Sequence, residues 1–369
     1  MKKISAFILA ALAAGTVLGA SKTSAAITRL LNSRAAGSPK GFAEAAEIVA
    51  KDAAEGKPVQ QFVLALVSRD RNAPEAARLD EETRQKYLDA SRERIKTLAE
   101  QRGNPLAWYL LSIEKNDRGM LKRAADGENV QALNAWGTLT LVQALRSADT
   151  NGIDKVIERS FACFQKAADK EDANGLYNLG MCYQNGYGCA ADSAKALECF
   201  QSAAAKGHPE AINNLGGYYR DGVVVMKDLV AATKWFAKSA EMGNAYGELN
   251  YGLALQRGEG CEKDEKKAYE LYKAAAAQGS VEAMNVQAMC LYNGEGVAED
   301  KRAAVELYRM SAAGGCAEAM ENLAVCHETG AGGLKRSSRE GLVWRMRARA
   351  MRGDRNAAAW LNQNGYDVL

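Results

Sequence analysis

Proline and phenylalanine are scarce in this chain, five and seven among 369 residues. A chain short of both, yet rich in Ala, Leu, Glu, Lys and Gln, reads as helix rather than sheet. Histidine is rarer still, with only His208 and His327. The sequence also lacks HExxH, a Walker loop, GxSxG and SxxK, so no nucleophile–base pair can be assigned and no enzyme is expected. Cys326, His327 and Glu328 adjoin, but successive helical residues diverge by about 100° and cannot converge on one ion. Neither metal nor any other cofactor is expected. Beyond the first twenty residues no apolar run is long enough to cross a bilayer. No cysteine precedes Cys163, which excludes a lipid-bearing cysteine near an N-terminal cut.

What the N-terminus does hold is Lys2 and Lys3, an uncharged apolar run from Ile4 to Leu18, and small residues around Ala20, Ala25 and Ala26. That is the layout of a secretory signal peptide, so residues 1–25 are expected to be a leader and the protein to be exported, periplasmic or secreted. Loss of 1–25 removes Lys2, Lys3 and Lys22 and no acid, taking the formal charge from +3 to zero. Global charge therefore names no partner, and nucleic acid is not expected.

Four segments share one spacing: "NGYGCAADSAKALECFQSAAAKG" from residue 185, "DGVVVMKDLVAATKWFAKSAEMG" from 221, "RGEGCEKDEKKAYELYKAAAAQG" from 257 and "NGEGVAEDKRAAVELYRMSAAGG" from 293. A period of this length marks stacked helical hairpins. On the first helix of each unit Gly180, Gly216 and Gly252 let a neighbouring helix approach. Gly186, Gly222, Gly258 and Gly294 fall where that helix ends and positive φ is needed. Asp192, Asp228, Asp264 and Asp300 suit the N-cap of the second helix.

These residues carry a resemblance. The pattern Ala-x3-Leu-Gly-x2-Tyr-x2-Gly-x-Gly-x3-Asp-x2-Lys-Ala is similar to the Sel1-like repeat, a relative of the tetratricopeptide repeat. It implies an all-α fold, a right-handed superhelical α-solenoid of αα hairpins, with units at 172–207, 208–243, 244–279, 280–315 and 316–353. Val224 departs from it at the second loop glycine, and Arg336 stands where the fifth unit should have Asp. Upstream, 104–171 reads as degenerate repeats and 41–103 as a helical cap or further degenerate repeats. Residues 26–40 read as a flexible lead-in and 354–369 as a closing helix.

In such a stack the first helices are expected to line a concave side. Asn178, Asn214, Asn250 and Asn322 recur in phase there, with Val286 between, and a column of amides suits an extended peptide backbone. One turn on, Cys182, Tyr218, Ala254, Cys290 and Cys326 continue the stripe, and Tyr218 is added to the candidate site. The expected partner is a protein or peptide on this face. Satisfaction of neighbouring loops is the competing role for the asparagines. The eight cysteines read as small hydrophobes, with Cys182–Cys199 the one pairing considered across a hairpin. The basic segment 335–355 puts Arg345, Arg349 and Arg352 on one helix face, for an anionic partner or a solvated surface.

The resulting expectation is a non-catalytic protein-binding scaffold or adaptor of the cell envelope. The resemblance also implies two alternatives: a weak penicillin-binding hydrolase of the cysteine-rich Sel1-like kind, or a secreted effector that binds host proteins.

Overall fold

The computed structural model describes residues 39–68, 77–147 and 152–367. The expected leader at 1–25, and nearly all of the lead-in at 26–40, lie outside them. Among the described residues every regular element is a helix, and each packs chiefly on its neighbours in sequence. The chain divides into two units, Met1–Leu215 and Gly216–Leu369.

The first unit begins with α1 (Pro39–Ala54), α2 (Pro58–Val67) and α3 (Glu81–Glu100). The apolar α2 is enclosed: Phe62 through Val67 are buried, with Leu88 and Ile95 of α3 in the same core. Two hairpins follow, α4 (Pro105–Lys115) with α5 (Arg118–Asp126), and α6 (Val130–Arg146) with α7 (Ile153–Asp169). Asn104, Asp117 and Asn129 cap three of these four helices through their side chains. A third hairpin joins α8 (Ala173–Asn185) to α9 (Ser193–Ala205). The division between the units falls within α10 (Pro209–Asp221).

The second unit continues with α11 (Leu229–Glu241) and the hairpins α12 (Ala245–Arg257) with α13 (Glu265–Ala277), and α14 (Val281–Asn293) with α15 (Lys301–Ala313). It closes with α16 (Ala317–Thr329), α17 (Ser338–Met351) and α18 (Arg355–Gln363). The last helix packs on α17 and buries Ala357 and Leu361, as a closing helix should.

One contact repeats inside the hairpins. A Cβ built on Gly180 would lie 2.7 Å from the Phe200 ring, and one on Gly216 2.5 Å from Phe236. The corresponding distances are 2.6 Å from Gly252 to Tyr272 and, in the hairpin α6–α7, 2.7 Å from Gly137 to Phe164. In these four hairpins the aromatic ring of the second helix therefore lies against bare backbone of the first, whereas Ala288 takes the glycine's place in the repeat of Tyr308. The loops between them place Gly186, Gly258 and Gly294 at positive φ, as C-caps whose N–H groups bond back to the first helix.

The aspartate caps are present at the predicted positions. Asp228 accepts from the Ala231 N–H, Asp264 from Lys267 and Asp300 from Ala303, while Asp192 accepts from Ala194 and Lys195. The fifth hairpin differs. Ser337, one residue past Arg336, caps α17 by accepting from the Glu340 N–H, and Arg336 instead donates to the Glu328 carbonyl. The longer loop shifts the cap by one residue.

His208 caps α10 in a different way. Its Nδ1 accepts from the Ala211 N–H, and its ring stacks on Tyr177 with centroids 4.5 Å apart. The imidazole is 3% exposed, and burial lowers its pKa to about 3.

Gly216→Val is expected to lower unfolding free energy in urea by about 1–3 kcal/mol, because the ring of Phe236 cannot withdraw. Gly217→Ala, where a Cβ meets nothing within 4 Å, should leave stability unchanged or slightly raised. Acid provides a second measurement. The unfolded chain takes a proton on His208 below pH 6.5 and the folded chain does not until about pH 3, so this residue makes stability fall as pH drops through that window. Glu210, whose pKa burial raises, has the opposite sign, gaining its proton earlier in the folded state. His208→Asn keeps a cap like that of Asn244 in the next repeat. Its unfolding free energy should therefore fall less steeply below pH 6.5 than that of the native chain, by up to about 1.4 kcal/mol per pH unit.

Candidate binding surface

The first helix of each repeat presents three kinds of position. Gly180 and its equivalents face the second helix and are buried. Asn178, Asn214, Asn250 and Asn322 are half-buried, as is Val286. Three residues beyond each comes Met181, Gly217, Leu253, Met289 or Val325; the first three are half-buried, and Met289 and Val325 are each 40% exposed. Position i+3 lies 60° to one side of the asparagine and i+4 lies 40° to the other. The packed interior takes the i+4 side. Cys182, Tyr218, Ala254, Cys290 and Cys326 are all buried, so the stripe that borders the asparagines at the surface is the apolar one at i+3. Tyr218 is a core residue, with its hydroxyl pKa raised by burial.

The asparagines have partners within the protein. Asn178 donates to Asn134 Oδ1 at 3.3 Å, and Asn134 donates in turn to Asp172 at 2.7 Å. Asn322 donates to Asn285 Oδ1 at 2.9 Å, and Asn214 reaches Met181 Sδ at 3.6 Å. Each of these bonds uses one of an amide's two donors and leaves its other capacity available. In the second unit an open cleft, about 330 Å³ counting its mouth, is lined by Asn250, Leu253, Phe236, Arg220, Arg257 and Glu259.

Arg345, Arg349 and Arg352 are all ion-paired. Arg345 meets Glu328 at 2.8 Å, Arg349 meets Asp354 at 2.6 Å, and Arg352 meets Glu318 at 3.1 Å and also pairs with Glu321. Their charge is neutralised by carboxylates of α16 and of the turn that follows α17. His327 is half-buried beside buried Cys326, and its pKa is lowered by burial. Among the described residues no group of three His, Cys, Asp or Glu side chains is placed to hold a metal ion. No helix there is long and apolar enough to cross a membrane.

All eight cysteines carry free thiols. Cys182, Cys189 and Cys199 share one apolar cluster with Phe164 and Leu179. Burial raises the Cys182 pKa to about 12 and those of Cys199 and Cys290 to about 11. A thiol so raised is a poor nucleophile and packs as a small apolar group.

The Sel1 repeat family model matches residues 147–172, 173–208, 209–244, 245–280, 281–316 and 317–344, more than half of the chain. The chain belongs to the Sel1-repeat family. Its repeats are those of the hairpins α8–α9 through α16–α17, with the stretch at 147–172 covering α7. A Sel1 repeat protein from Oxalobacter formigenes is similar at 25% identity and a TM-score of 0.55, over 70% of this chain and 98% of that one. The protective antigen c5321 of uropathogenic Escherichia coli, which displays the same repeat fold, is similar at 25% identity and a TM-score of 0.51, over 86% of this chain and 66% of that one. No curated protein matches the sequence.

Thiol titration with an aromatic disulfide should count all eight cysteines after denaturation. The native Sel1 repeats should withhold at least Cys182, Cys290, Cys316 and Cys326, the four that are buried. Fewer than eight in denaturant without reductant would reveal a disulfide.

Proposed function

We propose that this Sel1-repeat chain is a non-catalytic, exported scaffold that holds an extended segment of a partner protein along the exposed face of its first helices. Sel1 repeats in general are protein-interaction scaffolds. The observation that carries the reading is the recurrence in the second unit, at one helical position, of a half-buried amide beside an apolar side chain that is half-buried or exposed: Asn250 with half-buried Leu253, and Asn322 with exposed Val325. The same unit adds Val286 with Met289. Amides hold a peptide backbone without reading its sequence, while Met and Leu adapt to varied side chains. The cleft beside Asn250 and Leu253 offers a place for one anchoring side chain. Export to the envelope rests on the leader-like N-terminus.

Capture of a partner from an envelope extract on immobilised full chain, then titration of that partner, tests the reading. The paired change Leu253→Asp and Met289→Asp should weaken binding about tenfold or more, the loss of a central contact. Leu342→Asp, at an equally exposed residue of α17 away from the stripe, should leave affinity unchanged. Unaltered affinity in the paired variant, with its helix content intact, would discard the first-helix face.

A further inference from the structure

The loop between α10 and α11 breaks the rule its sister loops keep. They place Gly188, Gly260, Gly296 and Gly332 at φ between 65° and 72°, whereas this loop holds Val224 at 64°. A β-branched residue is strained in the left-handed region, so the loop keeps the repeat's path despite its composition. Its neighbours depart too: Val223 and Met226 stand where the next repeat has Glu259 and Glu262. These side chains are not packed. Val223 is 41% exposed, Val224 57% and Met226 90%. Local rules broken with no compensating contact are the places where function is to be sought.

The apolar tip continues into a basic strip. Lys227 is exposed next to Met226, and Val230, Lys234 and Lys238 follow at four-residue spacing on one face of α11, each exposed. Among the described residues none of the three lysines is in a salt bridge, and the Lys238 ammonium lies 5.4 Å from the Trp235 ring. Of the nearby acids, Asp221 pairs with Arg220 at 2.8 Å and also interacts with Lys227, Asp228 accepts from the Ala231 N–H, and Glu241 stands exposed three residues beyond Lys238. Aliphatic side chains at a loop tip, flanked by lysines outside any salt bridge, match the layering of an anionic bilayer, apolar below and phosphate above. A protein partner would favour tyrosine, tryptophan or arginine, with lysine depleted.

We infer that the 223–230 loop, with Lys227, Lys234 and Lys238, docks the second unit on an anionic phospholipid surface. The site is separate from the first-helix stripe and does not rest on it. Cosedimentation of the full chain with phosphatidylglycerol–phosphatidylethanolamine vesicles, against phosphatidylcholine vesicles, tests this. Binding is expected to the anionic vesicles alone and to weaken with salt. Met226→Asp should reduce it about tenfold, and charge reversal of the three lysines should reduce it at least as much. Val224→Gly restores the residue of the sister loops and relieves the backbone, so a few-fold loss of binding there cannot be ascribed to unfolding. Equal binding to phosphatidylcholine would overturn the inference. So would full retention by Met226→Asp, which would place binding elsewhere, for instance in the apolar segment 4–18. Self-association that Met226→Asp abolishes, without vesicle binding, would assign the loop to a second copy instead.

Discussion

A missing methyl group sets the spacing of four of the hairpins. Where Gly180, Gly216, Gly252 and Gly137 stand, the ring of the facing helix occupies the volume a Cβ would need. The ring gains burial against bare backbone, and the two helices approach more closely than alanine would allow. This closure lies inside the hairpin, and the side of the first helix 200° round from it, at Cys182, Ala254 and their equivalents, is packed as well. The stripe at Met181, Leu253, Met289 and Val325 lies between these two packed sides, 100° from the glycine position, where side chains are half-buried or exposed.

The loops couple one hairpin to the one before it. A Cβ on Gly260 would lie 2.1 Å from the Leu229 carbonyl oxygen, and one on Gly296 2.1 Å from that of Glu265. The second glycine of each loop is therefore pressed against the start of the preceding second helix. The aspartate that follows then caps the next second helix, where a carboxylate meets the free N–H groups and the positive end of the dipole. Stacking and capping thus come from one five-residue stretch, Gly260–Asp264 or Gly296–Asp300, which explains why its spacing is so regular.

Most of this architecture was legible in the sequence, because each device needs a particular residue at a fixed interval. The period, the glycines and the aspartate caps all follow from steric or hydrogen-bonding demands local to one hairpin. The surface was less legible. The i+3 and i+4 neighbours of Asn178 differ by 100° around the helix, and Met181 and Cys182 are both apolar, so composition did not reveal which one turns inward. Only the neighbouring hairpin decides that, and it turned Tyr218 into the core. The charge of Arg345, Arg349 and Arg352 was visible in sequence, but their carboxylate partners Glu328, Glu318 and Glu321 belong to the preceding helix and Asp354 to the turn beyond. The cap at Ser337 escaped because a longer loop moved it by one residue.

Those ion pairs are exposed, so each contributes little to stability. Their larger effect is on recognition, since an arginine already held by one carboxylate, or two in the case of Arg352, attracts an anion weakly. The lysines of α11 differ in having no such partners among the described residues. A count of basic residues would rank the C-terminal segment first, whereas a count of uncompensated charge beside exposed apolar surface ranks the loop at Met226 first. For a repeat protein of 369 residues with a formal net charge of only +3, local imbalance is the electrostatic quantity that distinguishes one surface from another.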